Sequence, residues 1–331
     1  MNTPLKIALL GSGSWATALA KIIHTNVPQL NWYIREKEIR ESLHKHSRNT
    51  LYLSNVKFNT EVLHITDNAD DAVKDADIII FCVPSKFIES LSESIQVDLS
   101  NKKIITAVKG IVPSNNTLVS EFIHRSFSVP TEHIAVISGP CHAEEVALER
   151  LSYLTIGSVD TDFAREITSL LSVYYIKTHI SQDIVGIEYA AVLKNIMALA
   201  TGISHGIGYG DNFTSVLISN AVQEMNHFLT EINDTKRDIN ESVYLGDLLV
   251  TAYSQFSRNR TFGMMIGKGY SVNTAELEMN MIAEGYYGVN CIMQINQKIN
   301  ADLPITQAVY NILYERISAS IEFKILAESF R

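Results

Sequence analysis

A single lysine, Lys194, stands in the middle of IEYAAVLKNIMALATGISHGIGYGDN, the nearly uncharged stretch from Ile187 to Asn212. Ile187, Ala190, Ala191 and Leu193 precede it; Ile196, Met197, Leu199 and Ala200 follow it. Apolar residues on most faces predict a buried helix. A lysine there has to be paired or lose basicity, because burial disfavours the charged form. Lysines so placed suit proton transfer. A lysine whose stem carries its ammonium out to water fits the same pattern, so the helix alone leaves both readings open. Lys109 closes the apolar run IITAVKG, and Asp247 sits in the apolar LGDLLV. Ser257, Arg258, Asn259 and Arg260 follow one another, and guanidinium groups take phosphate bidentately. Cys141 and His142 adjoin, but neighbouring residues rarely present their side chains to each other, and no orienting acid is evident, so no thiol–imidazole pair is expected.

A glycine motif opens the chain. The apolar run Leu5 to Leu10 stops at Gly11, and Gly13 and Ala16 complete a G-x-G-x-x-A arrangement. Ala18, Leu19, Ile22 and Ile23 then recur at helical spacing. Strand, glycine turn and helix are the context a dinucleotide motif requires. Gly11 permits the tight turn, Gly13 lets backbone approach a pyrophosphate, and the helix N-terminus offers free N–H groups. The second strand, Leu30 to Ile34, ends in Arg35 and Glu36. An acid there bonds the ribose 2′-hydroxyl of NAD, while an arginine accommodates the 2′-phosphate of NADP. The sequence carries both, and the choice stays open.

Positioning these groups takes two kinds of architecture. Asp77 to Val83, Lys103 to Val108, Ile134 to Ile137, Ser152 to Val159 and Val173 to Ile180 read as further strands. Alternating with helices, they predict a doubly wound, mostly parallel sheet. Lys109 lies just past the carboxyl end of such a strand, where these sheets bind ligands. Gly139-Pro140 ends another, before a helix from Ala143. After about Ser181 strand signals fade. Helices are predicted over Ile187 to Ala200, Thr214 to Asn233, Ser242 to Ser254, Thr274 to Met281, Val289 to Ile299 and Ile305 to Phe330. The glycine-rich GISHGIGYGDN, the Ser257–Arg260 run and EGYYG around Glu284 read as clusters between helices. The expected fold is an α/β Rossmann-type domain over residues 1–185 and an all-α domain over residues 186–331, the latter carrying substrate and catalytic groups.

Composition excludes some partners. Lys plus Arg number 27 against 36 Asp plus Glu, a net charge of −9 that argues against nucleic acid or anionic membrane as the main partner. Cys82, Cys141 and Cys291 are odd in number and far apart, which disfavours a disulfide framework or a cysteine zinc site and suits a reducing cytoplasm. The N-terminal apolar run is too short for a signal-peptide core, and no run reaches the roughly 18 apolar residues of a membrane span.

With these segments assembled, the chain resembles the NAD(P)-dependent sn-glycerol-3-phosphate dehydrogenases of bacterial type. The resemblance rests on GSGSWATALA, FCVPS, VKG, VISGP with a following AEE, VLKN, GIGYGDN, LGDL, SRNRTFGMMIGKG and AEGY, in the family's order and spanning nearly the whole chain. It implies the catalytic lysine at Lys194 and a lysine shared between nicotinamide and substrate at Lys109. Further substrate contacts fall on Gly139, Cys141, Asp247, Ser257, Arg258 and Asn259. Cofactor contacts fall on Gly11, Gly13, Ser14, Trp15, Arg35, Tyr52, Lys109, Ala143, Arg258, Ile282 and Glu284. The chain departs from the family at Cys141, where a serine or threonine is common, after the EG of EGYYG, and at Ser54, often a proline.

The resemblance further implies a cytoplasmic homodimer serving glycerophospholipid synthesis. Its reaction would be reversible hydride transfer between NAD or NADP and a phosphorylated triose, dihydroxyacetone phosphate, giving sn-glycerol 3-phosphate. Lys194 would deliver the proton, Lys109 and Asp247 would tune its charge, and no metal is called for because the lysines polarise the carbonyl. A hydroxyacid dehydrogenase of the same architecture acting on a carboxylate, or a nucleotide sensor without chemistry, are the alternatives.

Overall fold

The computed structural model describes residues 5–279 and 283–330. The chain divides into two compact units, Met1–Val108 with Val119–Ile184, and Lys109–Leu118 with Val185–Arg331. The ten residues from Lys109 to Leu118 thus belong with the helical half, although the sequence places them among the strands.

Among the described residues an eight-stranded sheet organises the first unit. In chain order come β1 (Ile7–Leu10), β2 (Leu30–Tyr33), β3 (Leu63–Thr66), β4 (Ile78–Phe81) and β5 (Lys103–Thr106). The small antiparallel pair β6 (Ile111–Val112) and β7 (Thr117–Leu118) belongs to the second unit. β8 (Ile134–Ser138), β9 (Ser152–Ser158) and β10 (Ile176–Ser181) complete the sheet, in the order β10-β9-β8-β5-β4-β1-β2-β3. From β8 to β3 neighbouring strands are parallel, with Leu9 of β1 opposite both Trp32 and Ile80. β8 and β9 pair antiparallel. The unbroken IALL of β1 and IIIF of β4 are wholly buried, as parallel strands covered on both faces require. The half-exposed edge strand β3 has no such run, which hid it in the sequence. The helices of this unit are α1 (Ser14–Ile23), α2 (Lys37–His46), α3 (Ala69–Val73), α4 (Ile88–Glu93), α5 (Val119–Phe127), α6 (Ala143–Ala147) and α7 (Thr161–Leu170). Side-chain caps set two of the starts: Asn68 accepts the N–H of Asp71, and Asp160 accepts those of Asp162 and Phe163.

The second unit is built on α8 (Ile184–Gly206) and α9 (Asp211–Ile232), joined by a turn at Gly208, where φ is +93°. α8 is long and apolar enough to cross a membrane, but 83% of its most apolar window is buried inside the protein. A π-helical turn over Ser242–Gly246 leads into α10 (Asp247–Tyr253), followed by α11 (Arg258–Gly267), α12 (Val272–Glu278), α13 (Glu284–Ile299), α14 (Pro304–Leu313) and α15 (Ala319–Ser329). Four expectations change here. The glycine-rich GISHGIGYGDN is not wholly between helices: α8 runs on through Gly206 and α9 begins at Asp211. The Ser257–Arg260 run is the capped start of a helix rather than a cluster between helices, with Ser257 Oγ accepting the N–H of Arg260. EGYYG is the first turn of α13. Ile305 to Phe330 is two helices, parted where Arg316 adopts a left-handed φ of +59°.

Two contacts fix the helices of this unit. Gly202 and Gly206 of α8 face Gly263 and Gly267 of α11 so closely that a Cβ on Gly202 would lie 2.1 Å from the Arg260 carbonyl oxygen. One on Gly263 would lie 2.2 Å from that of Leu199. On α9 the buried Glu224 accepts the N–H groups of Ile305 (2.7 Å) and Thr306 (2.9 Å) and the Thr306 hydroxyl (2.6 Å), capping α14 from another helix. Burial pushes its carboxyl up to about 7 despite those bonds. Gly263→Ala should cost about 1–3 kcal/mol, the usual scale of overpacking, read as a lowered urea midpoint. An unchanged midpoint would show that the backbones do not need this approach.

Candidate active site

α8 carries Lys194 into the interior, where 4% of it is exposed. Its Nζ donates to Oδ1 of Asp247 at 2.5 Å, and Asp247 is 1% exposed. Asp247 begins α10, directly after the π-helical turn over Ser242–Gly246. The Thr251 hydroxyl donates to the Asp247 carbonyl at 2.6 Å. The second carboxylate oxygen, Oδ2, accepts no hydrogen bond among the described residues and stands 3.9 Å from Nζ of Lys109. The Lys109 carbonyl in turn accepts Nδ2 of Asn195 at 3.3 Å. Two lysines therefore share one buried carboxylate. Burial lowers the pKa of Lys194 most, Asp247 raises it and Lys109 lowers it, leaving it at about 8. An ammonium so poised gives up a proton far more readily than free lysine does.

The anion-binding candidates lie at the start of α11. Arg258 is exposed, and its guanidinium makes no hydrogen bond or ion pair among the described residues. Asn259 is buried, and its Oδ1 accepts the N–H of Gly285 at 2.9 Å. A Cβ on Gly285 would lie 2.7 Å from the Asn195 carbonyl oxygen. The residue after the lysine, the start of α13 and the start of α11 are thus tied in one chain of contacts. Asn195, Thr251 and Gly285 were not singled out from the sequence. The Lys-Asn doublet was the available signal for Asn195; for Thr251 there was none.

In the first unit the glycine turn is built as expected. Gly11 has φ +129°, and a Cβ there would lie 2.1 Å from the Cys82 carbonyl oxygen. Its N–H donates to Tyr33 and its carbonyl accepts Trp32 Nε1 at 2.7 Å, so β2 holds the turn. The strand order reverses at β1 and β4, the kind of switch point at which open sheets bind ligands. Gly13 caps α1 without a side-chain bond, and the space its Cβ would enter is open within 4 Å. Ser14 and Trp15 form the first turn of α1. Tyr52 is tied to this turn through Asn49, which accepts the Tyr52 N–H (3.1 Å) and donates to the Ser12 carbonyl (2.9 Å). Arg35 and Glu36 follow β2. An uncapped helix start, a glycine turn with room beside it and an acid at the second strand's end fit a dinucleotide.

Gly139 ends β8 at φ +116°, with the Tyr153 carbonyl oxygen 2.9 Å from where its Cβ would be. Cys141 is buried, and Ala143 begins α6. Lys109, Arg258 and Glu284 belong to the second unit. Ile282 lies outside the described residues.

Residues 6–164 match the family described as NAD-dependent glycerol-3-phosphate dehydrogenase N-terminus, and residues 183–323 match its C-terminus. A glycerol-3-phosphate dehydrogenase [NAD(P)+] of Staphylococcus carnosus is 33% identical over 325 residues, 97% of either chain. The enzyme of the same name from Bacillus subtilis is 33% identical over 96% of this chain and 93% of its own. The crystal structure of a glycerol-3-phosphate dehydrogenase from Coxiella burnetii superposes with a TM-score of 0.90 at 28% identity, covering 98% of this chain and 99% of that one.

Replacing Asp247 by Asn removes the negative charge that holds Lys194 protonated. The Lys194 amine should then titrate below about 8 in an NMR pH series on labelled lysine. Lys109→Ala, which removes a repelling charge, should move the same titration upward. Opposite shifts would contradict this division of control.

Proposed function

The chain belongs to the NAD-dependent glycerol-3-phosphate dehydrogenase family, and we propose that it interconverts dihydroxyacetone phosphate and sn-glycerol 3-phosphate with Lys194 as its proton carrier. The observation that carries this reading is the buried Lys194–Asp247 pair with Lys109 beside it. The bound NAD(P)H supplies the hydride.

As negative charge builds on the ketone oxygen of the triose, the Lys194 ammonium delivers a proton to it. In the oxidation direction the neutral amine takes that proton back. Asp247 keeps the ammonium pointed and charged between turnovers, and Lys109 weakens that hold while adding positive charge near the carbonyl. Both effects stabilise the developing oxyanion more than the neutral ketone, which is the condition for catalysis. At the other end of the substrate Arg258 and the start of α11 hold the phosphate. Ser257 Oγ accepts the Arg260 N–H as the cap, which leaves its hydroxyl hydrogen, with its backbone, to donate to the phosphate. Asn259 accepts from Gly285 through Oδ1, which leaves its Nδ2 to donate. Binding energy from the remote phosphate positions the carbonyl for the transfer. Gly139 and Cys141 are the first unit's candidates for substrate contact, a thiol standing where a stronger hydroxyl donor is common.

The same reading makes the protein a homodimer in a reducing cytoplasm, where its free thiols Cys82, Cys141 and Cys291 persist. Sedimentation equilibrium should give twice the chain's 36.9 kDa, and a monomer at micromolar concentration would refute the assembly.

Lys194→Ala should lower turnover of dihydroxyacetone phosphate by about 100-fold or more, the scale of a positioned acid, with NAD(P)H still bound. Near-wild-type turnover would remove Lys194 from the chemistry. Arg258→Ala should mainly raise the KM for the phosphorylated substrate. An unchanged KM would move the phosphate site elsewhere.

A further inference from the structure

Arg35 and Glu36 follow β2, where a dinucleotide's adenosine ribose is read. A guanidinium at this place suits the 2′-phosphate of NADP, and a carboxylate suits the 2′-hydroxyl of NAD. The side chains are arranged unequally. Nε and Nη2 of Arg35 both donate to Oε1 of Glu36, at 3.2 and 3.0 Å, and the guanidinium lies 5.1 Å from the centre of the Phe87 ring. The arginine's charge is therefore met by the residue next to it. The other oxygen of Glu36, Oε2, accepts the Ser12 hydroxyl at 2.5 Å, and Ser12 lies between the two glycines of the turn. Asn49 anchors the same residue through its carbonyl. The carboxylate is thus held at the rim of the glycine turn, and the exposed arginine pairs with it.

Burial alone would raise the pKa of Glu36. Its bonds to Ser12, to backbone and to Arg35 outweigh burial and hold the carboxyl below its ordinary value, so it is an anion at neutral pH. Both Arg35 donors occupy Oε1, so a ribose 2′-hydroxyl would be accepted at Oε2, in competition with the Ser12 hydroxyl now bonded there. A 2′-phosphate brings about two further negative charges at pH 7 toward that anion. To be clamped by Arg35 it would first have to displace Glu36 from the guanidinium.

We propose that Glu36 makes this chain select NADH over NADPH: it accepts the ribose 2′-hydroxyl, opposes a 2′-phosphate, and keeps Arg35 from serving as a phosphate clamp. The inference rests on the cofactor reading above and adds the determinant of which cofactor is used.

Dissociation constants of NADH and NADPH for the full chain, measured by calorimetry without substrate, test it. The wild type should bind NADH at least about tenfold tighter, one unit of pKd. Glu36→Gln keeps the side chain's size and a bond to Ser12 but drops the charge and releases Arg35. NADPH should then bind about tenfold tighter than it does to wild type, a gain that shrinks with added salt and disappears in the Arg35→Ala/Glu36→Gln double variant. Glu36→Asp, which keeps the charge, should still favour NADH. Equal or tighter binding of NADPH by the wild type, or an unmoved ratio in Glu36→Gln, would overturn the proposal while leaving the dinucleotide site intact. Binding of neither nucleotide would take away that site, and the proposal with it.

Discussion

A lysine and an aspartate, both almost wholly out of contact with water, hold each other at 2.5 Å. Either charge alone in that position would carry a desolvation penalty of several kcal/mol. Together they are tolerable, provided the surroundings keep them together. The constraint is useful because it is incomplete. Among the described residues Asp247 has a second carboxylate oxygen without a hydrogen bond, and Lys109 stands 3.9 Å from it. Burial and Lys109 push Lys194 toward neutrality while Asp247 holds it charged. A proton carrier has to sit near such a balance point to work in both directions.

Much of the second unit keeps this pair in place. The helix that carries Lys194 meets the helix that begins with Arg258 at backbone distance, through glycines on both sides. The N-terminus of α13 rests on the same helix at Asn195 and is bonded to Asn259. These are contacts between main chains and short polar groups, and they leave little rotamer freedom. Lys194 and Arg258, carried on helices packed in this way, keep their separation because backbone sets it. The first unit uses the same device on a smaller scale, with Gly11 pressed against the Cys82 carbonyl and Trp32 bonded to the turn.

How much of this was legible in the sequence depended on the physics of each element. The parallel strands were plain because both their faces are buried, so apolar residues run unbroken through IALL and IIIF. β3 was not, since an edge strand needs no such run. The glycine motif could be placed because a strand and an amphipathic helix flank it. The start of α11 was hidden because its first turn, Ser257 to Arg260, is polar, and polar runs look like loops until a cap is seen. EGYYG was hidden because its two glycines read as a loop and no side-chain cap marks the start of α13. The break between α14 and α15 falls where no glycine or proline announces it. Lys194, Lys109 and Asp247 could each be suspected from an apolar setting or a strand end. That they share one carboxylate, and that Glu36 binds Arg35 rather than merely adjoining it, are facts of packing that local patterns do not encode. Nor did any local pattern show that Glu224, which reads as one polar position on a helix, is buried.

The ten-residue excursion from Lys109 to Leu118 bears on when the chain becomes an enzyme. Lys109 is made early, but its carbonyl finds Asn195 only 86 positions later, and Asp247 lies further still. Contacts closed over such spans form late, since the entropy of the intervening loop must be overcome before they give any return. A nascent chain that has completed its sheet therefore holds the lysine without its carboxylate. A helical fragment released at residue 185 would hold the carboxylate and Lys194 without the second lysine. An unfinished or clipped chain therefore lacks one member of the Lys109–Asp247–Lys194 group.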